Sequence, residues 1–221
     1  METVSIIAVA LGAAWASGIN LYAAILMLGL MGTTGSIDLP PELEILENPG
    51  VLVAAGLMYI VEFFTDKIPG VDTVWDAIHS FIRIPAGAMM AGAAFAQITP
   101  EAELIGIILG GTLSAGTHFA KAGSRVLINT SPEPVTNWTA SVGEDVAVIV
   151  GLWTALYYPI LFLGLLAAFV ALVIWLMPKL WRGIQAVFNR IRSWFSRPEP
   201  VAPDPEERQE ADRLAETIDR N

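Results

Sequence analysis

The chain has 221 residues, 54% of them hydrophobic and 15% charged, with a formal net charge of −10 and no cysteine. So apolar a composition excludes an ordinary soluble domain, and the missing cysteines exclude a disulfide framework, Cys-based metal sites and thiol nucleophiles. The acidic balance is sorted along the chain and is read segment by segment.

Charge is absent from residues 3–37, 48–61, 84–100, 104–120 and 146–178. A helix crosses a bilayer with about 20 apolar residues. The pattern predicts an all-α, polytopic membrane protein with six spans, near 4–31, 50–66, 83–99, 104–125, 141–157 and 159–178. The first run is read as a span, because it is too long for a leader and Glu2 replaces a basic n-region. Span five is expected to start near Thr139, which brings Glu144 and Asp145 into or close to the membrane. Tyr157-Tyr158-Pro159 divides it from span six. Residues 12–24, GAAWASGINLYAA, resemble 110–122, GGTLSAGTHFAKA, with Gly18 on Gly116 and Asn20 on His118. That match relates span one to span four and suggests inverted repeats at 4–99 and 104–178, with Asn20 facing His118 near the midplane.

The loops at 33–48 and 99–103 hold Asp38, Glu42, Glu44, Glu47, Glu101 and Glu103 and no base. Lys67, Arg83, Lys121, Arg125 and the cluster from Lys179 lie on the other side. The bias of Lys and Arg toward the cytoplasm predicts both termini inside, in a bacterial inner membrane. The membrane domain is residues 1–178. Residues 179–197 read as a basic amphipathic helix on the anionic leaflet, and 198–221 as a disordered acidic tail. Small-residue faces at Gly87, Ala88, Ala91 and Gly92, and at Gly106, Gly110 and Gly111, suit close helix approach. A homodimer is compatible with them. The bilayer is the expected partner, together with a small solute or ion; no nucleic acid and no cofactor are expected.

Residues 62–83 interrupt the apolar pattern. Asp72, Asp76, His79 and Arg83 are spaced four, three and four apart, so they share one helical face. Either this helix lies at the interface and ends at Pro85, or it continues into span three with that face turned inward. Glu62 is the strongest single candidate, with Asp66 one turn later: a protonatable or cation-binding pair, or carboxylates tied to Lys67, Arg83 or Arg125. Glu144 and Asp145 line the same region or complement the N-terminus of helix five. Asp76 and His79 have ligand spacing, without the repeated Glu-x-x-His of bundle metal sites. Ser114 and His118 lie one turn apart, which alone makes no hydrolase, and the chain is read as a non-enzyme. The sequons at Asn129 and Asn137 fall on the cytoplasmic side.

The segments VEFFTDKIPGVDTVWDAIHSFIRIPAGA (61–88), GTHFAKAGSRVLINTSPEP (116–134) and VGEDV (142–146) resemble the bacterial membrane family catalogued as domain of unknown function 4126. The resemblance spans roughly residues 5–180 and implies a compact polytopic membrane protein. It carries no activity with it. The expected function is a transporter or channel-like permease for a small solute or ion, coupled to cations or protons. Its pathway would use Asn20, Glu62, Asp66, His79, His118, Glu144 and Asp145, supported by Lys67, Asp72, Asp76, Arg83, Lys121 and Arg125. The alternative is a non-catalytic scaffold or lipid-interacting protein whose charges are structural pairs.

Overall fold

The computed structural model describes residues 3–130 and 134–195. Six α-helices run in order: α1 (Thr3–Thr33), α2 (Pro49–Thr65), α3 (Val71–Ala96), α4 (Pro100–Ile128), α5 (Pro134–Tyr157) and α6 (Pro159–Phe195). A 3-10 helix, Pro41–Glu47, precedes α2. No strand occurs among the described residues. The helix starts are local chemistry. Pro49, Pro100, Pro134 and Pro159 each take the first helical position, where proline's missing N–H costs nothing. Asn48 and Thr99 cap α2 and α4 by accepting from the Gly50 and Ala102 amides.

Residues 1–184 form one compact unit and the chain from Gln185 another, which is helical as far as Phe195. Within the first unit α1 is central: its apolar core residues pack against those of α3 and α5, with Phe162 and Leu166 of α6. The exterior is apolar on every side. Phe64, Phe81, Met89, Leu104, Ile149 and Ile160 are exposed, Phe81 at 83%, whereas Arg83 and Glu62 are 0% exposed. Apolar residues outside and charges inside are what a bilayer solvent selects. Helices α1, α5 and α6 are each long and apolar enough to cross a membrane; the 3-10 helix and α2, bent by 65°, are so as a pair. The chain is an all-α membrane protein.

Of the two alternatives for residues 72–83 the structure has the second: α3 runs on through Pro85 to Ala96, and Asp72, Asp76, His79 and Arg83 are all buried in the bundle. Hydroxyls of Ser17 and Ser114 both donate to the Arg83 carbonyl, at 2.7 and 3.0 Å, which holds this stretch of backbone in place. Other expectations require correction. Helix α5 starts at Pro134, so Glu144 and Asp145 lie turns inside it, beyond the reach of its N-terminal dipole. Helix α6 continues across residues 178 and 179, with Leu180 and Ile184 over Gly123 of α4; as far as Phe195, the basic helix expected at 179–197 is its C-terminal part. Residues 196–221, including the expected acidic tail, lie outside the described residues.

Antiparallel α3 and α4 pack backbone to backbone. A Cβ on Gly106 would meet the Ala91 carbonyl at 2.7 Å, and one on Gly110 the Gly87 carbonyl at 2.7 Å. The small-residue faces are thus used within the chain.

Candidate functional site

Helix α1 is broken. Asn20 has φ −145° and ψ 97°, extended backbone inside the buried central helix. Its side-chain oxygen accepts from the Ala23 amide at 3.0 Å, so Asn20 caps the second half-helix. Its amide nitrogen donates to Asp145 Oδ1 at 2.9 Å. The first half-helix ends at Ile19, whose carbonyl accepts from Lys121 Nζ at 3.0 Å. The break thus presents a carbonyl end to a cation and an amide end, through Asn20, to an anion. Both match the half-helix dipoles.

A network of buried ion pairs surrounds Lys121. Arg83 donates to Glu62 Oε1 and Asp76 Oδ1, each at 2.7 Å. Lys121 Nζ lies 2.9 Å from Asp66, 3.5 Å from Glu144, 3.7 Å from Glu62 and 3.8 Å from Asp76. Arg125 holds Glu144 through two nitrogens, at 2.7 and 3.3 Å, and lies 4.0 Å from Asp66. Four carboxylates therefore share three bases, and with all of them ionised one negative charge is in excess. Each of three carboxylates gives the bases one oxygen only. Glu62 Oε2, Asp66 Oδ1 and Asp76 Oδ2 are buried without a hydrogen-bond partner among the described residues.

Helix periodicity explains the convergence. On α4, Ser114, His118, Lys121 and Arg125 recur at four, three and four, the spacing found on α3 from Asp72 to Arg83. On α5, Asn137, Ser141 and Asp145 recur every four residues and are buried. His118 pairs with Ser80 at 2.6 Å and touches Arg83 at 3.4 Å. His79 bonds the Trp75 carbonyl at 2.9 Å and stacks on that indole with ring centroids 4.0 Å apart. Asp72 accepts from the Gly70 amide at 2.9 Å and from Asn129 at 2.8 Å; Gly70 takes φ +86°, a turn conformation that favours glycine. Lys67, in the turn between α2 and α3, bonds the Phe63 carbonyl at 2.8 Å, and burial pushes its ammonium below its ordinary pKa against the pull of Asp145 and Asp66.

All thirteen charge-bearing or polar residues singled out in the sequence lie in this half of the bundle, but some pairings differ. Asn20 faces Asp145 and not His118. Ser114 bonds the Arg83 carbonyl and not His118, whose serine partner is Ser80. Asp76 bonds Arg83 while His79 bonds the Trp75 carbonyl, and among the described residues no group of three or more His, Asp or Glu side chains stands ready to hold a metal ion. Asn137 was missed. It accepts a hydrogen bond from Arg125 and donates to the Asp66 carbonyl at 3.1 Å. The signal for it was its four-residue register with Ser141 and Asp145.

On the side of the acidic loops, a groove of about 420 Å³ lies between α1, the 3-10 helix, α3 and α4. Its walls include Leu21, next to Asn20, and Ala86, with Glu42 and Glu103 also lining it.

The family model described as "Domain of unknown function (DUF4126)" matches residues 7–179, and the chain belongs to that family. Neither the curated proteins nor the solved structures include a match to it.

Proposed function

We propose that this member of the DUF4126 family is a small transporter or channel-like permease for a small solute or ion, coupled to protons or cations at the buried charge network. The observation that carries the reading is the break in α1 beside that network. Discontinuous helices whose carbonyl and amide ends meet ions near the midplane are a recurrent way to build a transport site. A purely structural lock would gain by satisfying every buried oxygen, since each unsatisfied one costs about 1–3 kcal/mol. Three carboxylate oxygens without partners and one excess negative charge suit a site that takes up a proton or cation in part of its cycle. The groove lined by Glu42 and Glu103 supplies a cation-attracting approach from the acidic side. All six helices cross the membrane in this reading. The acidic loops face outward, and Lys67, Arg125 and both termini lie on the cytoplasmic side of a bacterial inner membrane.

The test is current from purified protein in liposomes on a solid-supported membrane, under gradients of protons, cations and small organic solutes. Wild type is expected to give a saturable current. Glu62→Gln keeps an oxygen for Arg83 but removes the titratable carboxylate, so it should lose the current while staying folded. A current unchanged in Glu62→Gln would sink the site assignment. Silence of folded wild type across the panel would favour the scaffold reading, in which Glu62→Gln damages folding instead.

A further inference from the structure

The Ile19 carbonyl, freed by the break in α1, is met by an ammonium group where carriers with discontinuous helices hold an inorganic ion. We infer that Lys121 is the tethered occupant of a monovalent-cation site, which makes the proton, and not Na⁺ or K⁺, the coupling ion of this chain. The second half of that inference rests on the transport reading; the first rests on geometry alone.

Five oxygens from separate parts of the fold converge on Nζ: Asp66 Oδ2 at 2.9 Å, Ile19 O at 3.0 Å, Glu144 Oε2 at 3.5 Å, Glu62 Oε1 at 3.7 Å and Asp76 Oδ1 at 3.8 Å. They come from α1, α2 and its C-cap, α3 and α5. An ordinary salt bridge engages one or two carboxylates. Here two oxygens, one of them a main-chain carbonyl at a half-helix C-terminus, bond the ammonium directly and three more carboxylates surround it, which is the position where discontinuous helices coordinate a cation. Lys121 is 6% exposed, so its ammonium is enclosed much as a bound ion would be. The other charged or titratable groups facing this shell are Tyr22 on α1, Tyr59 on α2, Lys67 in the following turn, His79 and Arg83 on α3, His118 and Arg125 on α4, and Asp145 on α5. A cation attached to α4 cannot leave the site. What moves through it must be released by a side chain, and the acidic side chains of the shell release protons.

The experiment empties the shell. Lys121→Ala is purified and its melting temperature followed in choline, sodium, potassium and methylammonium chloride at matched ionic strength. The variant is expected to melt below wild type in choline. Small cations should then raise it, by about 4 °C per tenfold increase above their Kd, while wild type stays indifferent. A variant that ignores all four salts, or that choline stabilises equally, overturns the inference. If Lys121→Ala does not fold in choline, Lys121→Ala/Asp66→Asn carries the test. It restores the wild-type charge balance and keeps the Ile19 carbonyl, Glu62, Asp76 and Glu144. Rescue of this variant by small cations supports the site, and failure to fold in every salt overturns it. No flux is read, so a silent transport assay would remove the coupling claim and leave the cation site standing.

Discussion

Arg83→Met is expected to be the most damaging single substitution in the bundle, with a loss of about 3–5 kcal/mol because it leaves buried charge unpaired. Arg83 is 0% exposed and is the closest base to both Glu62 and Asp76. Without it the two carboxylates retain only Lys121, at 3.7 and 3.8 Å, which already serves Asp66 at 2.9 Å. For a chain of this size the loss corresponds to a drop of roughly 10 °C in melting temperature, readable from the fluorescence of its seven tryptophans. Glu62→Gln added to Arg83→Met should recover part of the loss, because it removes one of the orphaned charges. The coupling between the two positions is what a double-mutant cycle measures. An Arg83→Met protein that melts with wild type would show the network to be more hydrated than its burial implies.

The second large effect is expected at Gly18, which lies two residues before the break. A Cβ there would meet the Thr117 Cβ at 2.8 Å and the backbone nitrogen of His118 at 3.1 Å, and would press on the carbonyl of Ser114. Backbone cannot rotate away as a side-chain tip can, so α1 and α4 must separate. Gly18→Ala is expected to cost about 1–3 kcal/mol as overpacking. In the transport reading it should also weaken flux, because the movement draws Lys121 away from Ile19. Gly164 on α6 is the control, since nothing lies within 4 Å of a Cβ there. Gly164→Ala should be neutral or stabilising by about 0.5–1 kcal/mol, as alanine replaces glycine inside a helix. Equal melting temperatures for the two variants would remove the tight α1–α4 crossing from the account.

The six helices were legible because uncharged runs bounded by acids and prolines leave few other readings. The polar face of α3 was legible too, since Asp72, Asp76, His79 and Arg83 keep one register. What lay beyond reach was decided by residues distant in sequence. Nothing local marks Asn20 as a break: it sits in an uncharged run without proline, its partner Asp145 lies 125 residues away, and Lys121, which meets the freed Ile19 carbonyl, lies 102 residues from Ile19. Likewise, whether Asp72–Arg83 floats at an interface or enters the bundle depends on Glu62 and Lys121, which local amphipathicity cannot report. The continuation through Pro85 has the same origin, with hydroxyls from α1 and α4 supporting that stretch of backbone. Pairings were less legible than placement. A register shows that groups share a face, not which of several carboxylates a given base will choose.

The charge network also governs how the chain can enter a bilayer. Each Asp, Lys or Arg at the centre of an inserting helix costs about 2.5–3.5 kcal/mol. Helix α3 carries Asp72, Asp76 and Arg83, and α4 carries Lys121 and Arg125, so neither passes the apolarity criterion that α1, α5 and α6 pass. Their charges are neutralised by one another, by Glu62 and Asp66 at the end of α2, and by Glu144 of α5. In the transport reading, where all six helices cross, the unit of membrane integration is therefore the set α2–α5 and not the single helix. A cysteine introduced on α3 should stay open to a water-soluble alkylating reagent in a nascent chain halted before Lys121, and be protected in one that has passed Glu144.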